Sequence, residues 1–424
     1  MTDATGENSG NCKNGKSDEG GKSGKLQPKL RFKGFTDAWE QRALGELATF
    51  AKGAGYSKSD LVGKGKPIIL YGRLYTDYQT IIHDVNTFVI DRPGSIYSVG
   101  NEVIVPASGE TAEDIARASV VCRAGIILGG DLNIIYPKPS LSSVFLALVI
   151  SNGKEHVKLA RKAQGKSIVH IHNNDLKYIR ISYPDIREQM TVSHLFRCFD
   201  CLIAAAERKA RLLRKKKHAY LNHIFTQHLR FTGHTTPWQT KKLGNIADIV
   251  GGGTPSTIRP EYWDGGIQWF TPAEITKAQA YVSNSTKTIT ELGLSKSSAR
   301  LLPGNRTILF TSRASIGETA LLTVDATTNQ GFQSIVLKDG INRYFIYCMV
   351  SNLRRYAQRM ASGSTFLEIS NHQLAKAPVY IPDSSEQAEI ARFFQTLDSL
   401  IAAAERKVNL LKKKKQAYLQ KMFI

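Results

Sequence analysis

Two long segments of the chain carry apolar side chains at a helical spacing and contain neither glycine nor proline. The apolar positions are Phe199, Ile203, Ala206, Ala210, Leu213, Tyr220 and Ile224 in the first segment, and Leu397, Ile401, Ala404, Val408, Leu411, Tyr418 and Met422 in the second. Because the spacing alternates between four and three residues, it predicts two coiled-coil helices of about 40 residues, each roughly 60 Å long. One apolar stripe is not stable alone in water, so we expect the two helices to pair.

The second helical segment repeats the first. The sequence LIAAAERK occurs at Leu202–Lys209 and again at Leu400–Lys407, a shift of 198 residues. With a shift of 199 residues, Leu30–Gly34 (LRFKG) also matches Leu229–Gly233 (LRFTG). The chain is therefore an internal duplication whose copies match at their starts and at their ends.

The interiors of the two copies, at about 50–160 and about 249–360, share little sequence. Both contain short β-rich segments separated by glycine and proline, and each contains a segment of helical character. The predicted strands are Pro67–Tyr71, Ile81–Ile82, Glu102–Pro106, Asn305–Ser312, Ala320–Val324 and Gln333–Leu337, and the predicted helices are Ser142–Ser151 and Arg343–Met360. We expect a duplicated frame around interiors that have diverged.

These patterns predict an α/β fold class with two globular modules separated by two long antiparallel coiled-coil helices, in a pseudo-twofold internal repeat. The predicted boundaries are 1–28 for a disordered polar tail, 29–185 for the first module, 186–227 for the first helix, 228–384 for the second module and 385–424 for the second helix. The helix pair would hold the two modules at a fixed distance.

The formal net charge of +21 favours a polyanionic partner, and nucleic acid is the first candidate. The segments Glu207–Lys217 and Glu405–Lys415 carry seven and six Lys or Arg residues against one Glu each. A solvated helix face is one interpretation, and contact with phosphates or with a partner subunit is the other. The candidates for such contacts are Arg208, Lys209, Lys215, Lys216, Arg406, Lys407, Lys413 and Lys414.

Polar and aromatic side chains cluster at loop-like places in both interiors. Arg can bind guanine and Asn or Gln can bind adenine in the major groove, while Gly permits a close backbone approach. The candidate DNA-binding residues are Tyr71, Arg73, Tyr75, Ser108, Glu110, Thr111, Lys166, Ser167, Gly252, Thr254, Ser256, Trp269, Thr311, Ser312, Arg313, Ser315, Asn329 and Gln330. Ordinary loop chemistry is the alternative for each of them.

The five cysteines are scattered and odd in number, which argues against a disulfide framework and favours a reducing cytoplasm. No run reaches the roughly 18 apolar residues that a membrane span needs. The N-terminal residues have no apolar centre of the kind found in a signal peptide. We therefore expect a cytoplasmic protein without a membrane partner.

A resemblance to a known family rests on several segments taken together. They are LRFKGFTDAWEQRALGEL with its LRFTG copy, the LIAAAERK helices, GGGTPST followed by EYW, ILFTSRASIG, ATTNQGFQSI, ILYGRLYTDY, PASGETAEDIA and LGGDLNI. Over about 30–424, the chain resembles the specificity subunit of Type I restriction-modification systems of bacterial defence.

The resemblance implies that 29–185 and 228–384 are target recognition domains, each of which reads one half of a bipartite site in double-stranded DNA. The helical regions would set the spacing and dock two modification (methyltransferase) subunits, and restriction (translocase/endonuclease) subunits would complete the complex. The resemblance further implies a non-catalytic chain without a cofactor, whose partner subunits use S-adenosylmethionine, ATP and Mg²⁺.

Three enzymatic functions fit the residues less well. A methyltransferase would need an Asn/Asp-Pro-Pro-aromatic motif, and the chain contains no Pro-Pro. Gly165–Ser167 resembles the end of a phosphate-binding loop, but the first glycine of that motif is missing. A metal or redox site at Cys198 and Cys201, or at His170 and His172, is not repeated in the second copy.

A coiled-coil scaffold that binds only protein is the alternative from another functional class. It accounts for the helices, but it leaves the diverged modules and the large basic surplus without a role. Sequence-selective DNA binding distinguishes the two functions.

Overall fold

The computed structural model describes residues 26–162, 169–275, 280–363 and 367–423. The chain folds into two compact units. Unit 1 contains the residues up to Ala204 and again those from Asn409, while unit 2 contains Ala205–Val408. The functional boundaries predicted at 185, 227 and 384 stay predictions, and most of the predicted tail lies outside the described residues.

Unit 1 combines short strands with short helices. Its strands are β1 (Glu40–Ala43), β2 (Ala48–Lys52), β3 (Leu61–Val62), β4 (Lys66–Ile69), β5 (Ile81–Ile82), β6 (Phe88–Val89), β7 (Tyr97–Val99), β8 (Val103–Pro106), β9 (Ser108–Gly109), β10 (Ser119–Val121), β11 (Ala124–Leu128), β12 (Leu132–Pro137), β13 (Val169–His170) and β14 (Arg180–Tyr183). Its helices are α1 (Leu44–Leu47), α2 (Arg73–Thr76), α3 (Ala112–Ile115), α4 (Ser143–Ser151), α5 (Gly153–Lys162), α6 (Asn173–Lys177) and the first part of α7 (Ile186–Phe225).

Unit 2 has the same mixture of elements. Its strands are β15 (Gln239–Lys242), β16 (Ala247–Gly251), β17 (Trp263–Phe270), β18 (Tyr281–Val282), β19 (Lys287–Ile289), β20 (Thr307–Phe310), β21 (Thr319–Leu322), β22 (Ala326–Thr328), β23 (Gln333–Leu337) and β24 (Pro378–Ile381). Its helices are α8 (Leu243–Ile246), α9 (Pro272–Ile275), α10 (Glu291–Ser295), α11 (Arg343–Cys348), α12 (Val350–Met360), α13 (Asn371–Ala375) and most of α14 (Ser384–Met422).

Each unit is built on a central five-stranded sheet. The strand order is β2-β12-β8-β10-β5 in unit 1 and β16-β23-β20-β21-β18 in unit 2. In both sheets the first three pairings are antiparallel and the last is parallel. The register also matches, because Lys52 lies opposite Asn133 and Gly251 lies opposite Gln333. The expected divergence of the interiors therefore does not extend to this sheet, whose backbone pairing recurs although the side chains differ.

The second sheet is where the interiors differ in structure. Its order is β3-β6-β4-β11-β7 in unit 1 and β19-β17-β22 in unit 2. In both, the middle strand pairs antiparallel on one side and parallel on the other. Unit 1 thus has the three-stranded arrangement of unit 2 with one additional short strand at each edge.

The two long helices α7 and α14 contain 40 and 39 residues, which confirms their predicted length. Within unit 1, the ring of Phe199 packs against Tyr418 at 5.5 Å between centroids. Within unit 2, the ring of Tyr220 packs against Phe393 at 5.2 Å. A second contact in each unit, Phe196 with Phe423 and Lys217 with Asp398, pairs a lower number on α7 with a higher number on, or directly after, α14. The helices therefore run antiparallel in each unit, as predicted.

The ends of the long helices close the cores of the units. In unit 1, the ring of Phe145 lies 5.7 Å from both Trp39 and Phe423. In unit 2, three aromatic residues form the corresponding cluster, in which Phe345 contacts Trp238 at 5.8 Å and Phe225 at 5.5 Å. Edge-to-face and tilted rings at these distances stabilise each other beyond their burial. The duplication therefore includes the core as well as the surface of the helices.

The helix predicted over Arg343–Met360 is interrupted at Met349 and forms α11 and α12. Most residues of α11 are buried, whereas α12 buries only Leu353 and Ala357. The interruption lets the apolar first part lie in the core and the basic second part lie at the surface. Within the described part of the chain, no helix combines the length and apolar character that a membrane span requires.

Candidate nucleic-acid interface

The glycine-rich loop of unit 2, at 251–257, passes very close to a second loop. A Cβ atom on Gly252 would lie 1.9 Å from the carbonyl oxygen of Asn329, so no other residue fits without a shift. The amide of Gly253 donates to the carbonyl oxygen of Thr328 at 2.8 Å. The glycines serve a close backbone approach, but the partner is the protein itself.

The side chains of these two loops are joined by a hydrogen bond. The hydroxyl of Thr254 donates to Oε1 of Gln330 at 2.6 Å. The side-chain oxygen of Asn329 accepts from the amide of Gly331 at 2.9 Å and shapes the loop around Gln330. Gln330 itself is exposed. The structure therefore brings together candidate residues from two segments that are far apart in the sequence.

Two tryptophans support the glycine-rich loop. The indole of Trp269 is buried and donates to the carbonyl oxygen of Gly253 at 2.9 Å. The indole of Trp263 donates to the carbonyl oxygen of Ser256 at 3.1 Å, and its ring lies edge-on to Trp269. The ammonium group of Lys287 stands 5.5 Å from the ring centre of Trp263. Trp269 therefore positions the loop, and Lys287 is a nearby cation that the sequence did not point to.

A third loop, which connects β20 with β21, joins the same cluster. The amide of Ser312 donates to the carbonyl oxygen of Gly331 at 2.8 Å. Thr311 and Ser312 are fully buried, whereas the tip Arg313–Ser315 is exposed. Ala314 at the tip has a φ of 60°, a strained conformation for a residue with a side chain. Buried residues thus hold a fixed tip that presents Arg313 and Ser315.

The candidates of unit 2 fall into three groups by exposure. The exposed residues can meet a ligand directly, while the buried ones hold the loops. Exposed are Ser256, Arg313, Ser315 and Gln330; half-buried are Gly252, Thr254 and Asn329; buried are Trp269, Thr311 and Ser312.

In unit 1, several candidates are engaged with each other. The hydroxyl of Tyr75 donates to the carbonyl oxygen of Ser108, and burial raises the pKa of this tyrosine above its usual value. The hydroxyl of Ser108 is hydrogen-bonded to Nδ1 of His170 at 3.1 Å. The ring of Tyr71 is exposed and lies edge-on to Tyr75. Of these residues, Tyr71 is the one whose ring is available to a ligand.

The guanidinium of Arg73 binds within its own loop region. It donates to the carbonyl oxygen of Asp84 at 3.2 Å and to Oε1 of Gln79 at 3.4 Å, and its side chain is 13% exposed. The hydroxyl of Thr111 accepts from the amide of Asp114 and caps α3. Glu110 is exposed, and the candidates Lys166 and Ser167 lie outside the described residues.

Unit 1 repeats the close approach of the two loops, but with other side chains. A Cβ atom on Gly53 would lie 2.0 Å from the carbonyl oxygen of Gly129. The matching strand registers place Gly55 where unit 2 has Thr254, and Gly130 where it has Gln330. The two units therefore share the backbone of these paired loops, but only unit 2 has polar side chains at the two equivalent positions.

The basic candidates on the long helices are all exposed. None of the eight forms an ion pair with another residue in the described ranges; they are Arg208, Lys209, Lys215, Lys216, Arg406, Lys407, Lys413 and Lys414. Their neighbours differ, since the ammonium group of Lys217 pairs with Asp398 at 2.6 Å and that of Lys415 pairs with Asp200 at 2.5 Å. The exposed cations are thus available to an anionic partner.

The duplicated segments at the start of each module are tied to the long helices by ion pairs to buried glutamates. Arg31 donates twice to the buried carboxylate of Glu188, at 2.8 and 2.6 Å. Arg230 donates twice to Glu386, at 3.0 and 2.7 Å, and the indole of Trp238 adds a third hydrogen bond at 3.0 Å. In each pair, the hydrogen bond raises the pKa of the arginine. These residues recur because they join the module entrance to the helix.

One group of metal-ligating residue types comes together among the described residues. Single ligand atoms of His234, Asp383 and Glu386 lie within 4.8 Å of one another. The carboxylate of Glu386 is already engaged by Arg230 and Trp238, as described above. Its oxygens therefore serve the ion-pair network.

Unit 2 also contains a cleft of about 720 Å³ between the second part of α7 and the helices α11 and α12. Its lining includes His218, Phe225, Tyr347, Cys348 and Arg354. Burial raises the pKa of the Cys348 thiol, which keeps it protonated and unreactive.

Comparison with known proteins gives matches to one family. Residues 235–413 match the family model described as the Type I restriction modification DNA specificity domain. The specificity subunit of the Type I restriction enzyme MjaIX of Methanocaldococcus jannaschii is 36% identical over 179 residues, which are 42% of this chain and 41% of that relative. A Type I restriction enzyme specificity subunit of Escherichia coli is 30% identical over 270 residues, which are 60% of this chain and 64% of that relative.

The fold has a relative among solved structures. The crystal structure of the S subunit of a Type I restriction-modification system from M. genitalium has a TM-score of 0.61 with 17% identity, and the match covers 94% of this chain and 99% of that one. The chain matches about two fifths and just under two thirds of the length of the two sequence relatives. The solved structure shows that the fold is shared. Residues 235–413 match the Type I restriction modification DNA specificity domain, and the resemblance of the chain to Type I specificity subunits is confirmed by its sequence relatives.

Proposed function

We propose that this chain is the DNA sequence-specificity subunit of a Type I restriction-modification complex, and that each unit reads one half of a bipartite target in double-stranded DNA. The observation that carries the proposal is the duplicated central sheet, which supports loops with different exposed side chains in the two units. Two copies of one framework with different surfaces suit two different sequences. The match of 235–413 to a DNA specificity domain supports the same function.

In this proposal the long helices set the spacing and dock two modification subunits, to which restriction subunits are added. The exposed cations of α7 and α14 contact either DNA phosphates or these partners, and they carry no sequence information. The chain itself is non-catalytic. It binds no cofactor, and S-adenosylmethionine, ATP and Mg²⁺ are used by the partner subunits.

A selection experiment tests the proposal. The full-length chain, co-expressed with the modification subunits of its host, is incubated with a pool of randomised duplexes, and the bound DNA is sequenced. We expect two short preferred sequences separated by a spacer of fixed length. Binding without any sequence preference contradicts the proposal and favours the protein-binding scaffold.

The two roles of the basic helix residues can be separated by salt dependence. Replacing Lys215 and Lys216 with Gln removes two exposed positive charges. If they contact phosphates, the slope of log K against log salt falls by roughly 2, while the preferred sequence is unchanged. If they contact a partner subunit, co-purification of that subunit decreases and the slope measured on the assembled complex is unchanged.

A further inference from the structure

The hydrogen bond between Thr254 and Gln330 fixes an amide at the surface of unit 2. The hydroxyl of Thr254 uses one lone pair of Oε1, at 2.6 Å. The second lone pair of Oε1 and the Nε2 hydrogens of Gln330 have no partner among the described residues. An exposed amide with one acceptor and one donor side available can form hydrogen bonds to a ligand.

The backbone around this amide is held on both sides. The amide of Asn329 donates to the carbonyl oxygen of Phe270 at 3.1 Å, and the carbonyl oxygen of Gly331 accepts from Ser312 at 2.8 Å. The side chain of Asn329 adds a hydrogen bond to Gly331. Because the backbone on both sides is fixed and Thr254 holds Oε1, the side-chain amide of Gln330 loses less conformational entropy when it binds a ligand.

We propose that Gln330, oriented by Thr254, is a specificity-determining residue of unit 2 that reads the major-groove edge of an adenine. The inference rests on the proposed function, and it names one residue and one base. The acceptor and donor of the glutamine amide match N6–H and N7 of adenine. Oε1 accepts from N6 with its second lone pair, and Nε2 donates to N7.

Unit 1 has no such reader at the same place. Its two equivalent residues are Gly55 and Gly130, and a Cβ atom on Gly130 would lie 3.8 Å from the nitrogen of Gly55. The two positions are thus neighbours in unit 1 as well. At these equivalent positions, unit 2 therefore has a side-chain amide that can contact a base, and unit 1 has none.

The first test compares Gln330→Ala and Gln330→Glu with the wild-type chain in the selection on randomised duplexes. We expect Gln330→Ala to lose the preference for adenine at one position of one half-site, by about ten-fold, with the other positions unchanged. Gln330→Glu keeps the shape but lacks the donor to N7, so it also loses adenine. Gln358→Ala, at an exposed position on α12, is the matched control and leaves the preference unchanged.

The outcomes separate this inference from the proposed function. A wild-type chain without any sequence preference overturns the proposed function. A two-part preference that Gln330→Ala leaves intact overturns only the role of Gln330. A loss of affinity that is uniform across all sequences also overturns it, because it indicates a phosphate contact.

The role of Thr254 is tested by a matched pair of variants. Thr254→Val keeps the shape of the side chain and removes the hydroxyl, so the adenine preference is expected to fall several-fold. Thr254→Ser keeps the hydroxyl and restores most of the preference. If the valine and serine variants have the same preference, Thr254 does not orient the amide.

The strongest test moves the pair into unit 1 as Gly55→Thr with Gly130→Gln. Neither glycine has a positive φ, no atom would lie within 4 Å of a Cβ on Gly55, and the nearest to one on Gly130 would be at 3.6 Å. The double variant should therefore fold, which its thermal unfolding curve shows. We expect a new preference for adenine in the other half-site. A folded double variant with an unchanged target contradicts the claim that the pair reads a base by itself.

Discussion

The two units use the same central sheet, with the same strand order and pairing directions, although their interiors share little sequence. They differ in the second sheet, which has five strands in unit 1 and three in unit 2. The paired loops beside the central sheet also differ, since Thr254 and Gln330 in unit 2 stand opposite two glycines in unit 1. The comparison shows that the backbone framework recurs where the exposed side chains have changed.

Several residues that recur between the units are ones that the shared backbone structure requires. Gly53 and Gly252 allow the same close approach of two loops. Arg31 and Arg230 each bind a buried glutamate at the start of a long helix. If the two frameworks are equivalent, the same substitution should have the same effect in both units, and differences should follow from the partners that only one unit has.

The largest expected effect comes from the close loop approach. Gly53→Val and Gly252→Val place a Cβ atom about 2 Å from a backbone carbonyl oxygen. We expect each variant to lose about 3 kcal/mol or more of unfolding free energy, because the backbone must move. Urea unfolding measures this loss. Gly55→Ala, whose new Cβ meets no atom within 4 Å, is the control and should stay within about 0.5 kcal/mol.

If one valine variant kept its unfolding free energy while the other lost it, the two frameworks would not be equivalent. This result would show that one of the two glycines is not required and that the frameworks differ at this place.

Removing the arginine from either ion pair with a buried glutamate should lower the unfolding free energy, by a larger amount in unit 1 than in unit 2. Arg31→Ala leaves the carboxylate of Glu188 buried without a charge partner, which costs about 3–5 kcal/mol. Arg230→Ala should cost less than Arg31→Ala, because the indole of Trp238 continues to donate to Glu386. The corresponding indole in unit 1, that of Trp39, has no hydrogen-bond partner among the described residues.

Chemical denaturation of the two variants measures the difference between these pairs. Arg42→Ala is the matched control, since both members of its ion pair with Glu40 are more than half exposed, and such a pair contributes at most about 1 kcal/mol. Equal losses in Arg31→Ala and Arg230→Ala would show that the Trp238 hydrogen bond contributes nothing.

The helix pair gives a smaller difference of the same kind. Asp398 accepts hydrogen bonds from Lys217 and from the buried hydroxyl of Tyr344, whereas Asp200 binds Lys415 in a more exposed setting. We expect Asp398→Ala to cost about 1–3 kcal/mol and Asp200→Ala less than about 1 kcal/mol, measured by denaturation. In the variant Tyr344→Phe, the further loss caused by Asp398→Ala should become smaller, and an unchanged loss would contradict the shared network.

The sequence predicted the long helices well because their signal is periodic and extends over about 40 residues. It did not predict the common central sheet, since strands of two to six residues leave little periodicity and equivalent positions carry different side chains. Sheet pairing depends on backbone atoms, which the amino-acid sequence does not display directly.

The candidate site was predictable only in part. From the sequence, the glycine run at 251–253 indicates a close backbone approach to DNA, but the structure shows a close approach to another loop of the protein instead. The internal contacts of Arg73 and Tyr75 were not predictable, because each depends on which side of its helix faces a distant loop. The contact between Thr254 and Gln330 joins residues 76 positions apart, and no local pattern connects them.

The smallest expected difference concerns the acidic residues at the starts of α7 and α14. The carboxylate of Asp383 accepts from the hydroxyl of Ser385 at 2.6 Å and from the amide of Glu386 at 2.9 Å. Above all, the hydrogen bond from Ser385 lowers the pKa of Asp383 below its usual value of 3.8. At the equivalent place in unit 1, Asp185 accepts from two backbone amides, and the residue matching Ser385 is Arg187, which has no hydroxyl.

A carboxylate whose pKa is lowered by folding stabilises the protein above its ordinary pKa, and this contribution is lost as the pH falls through the lowered value. Asp383→Asn should therefore lower the melting temperature at pH 7, and the difference from wild type should shrink as the pH falls below about 4. Ser385→Ala removes the main cause of the shift, so the further effect of Asp383→Asn should be smaller in that background. Thermal unfolding between pH 7 and pH 3 tests both expectations, and a difference that persists undiminished at pH 3 would show that the negative charge is not its source.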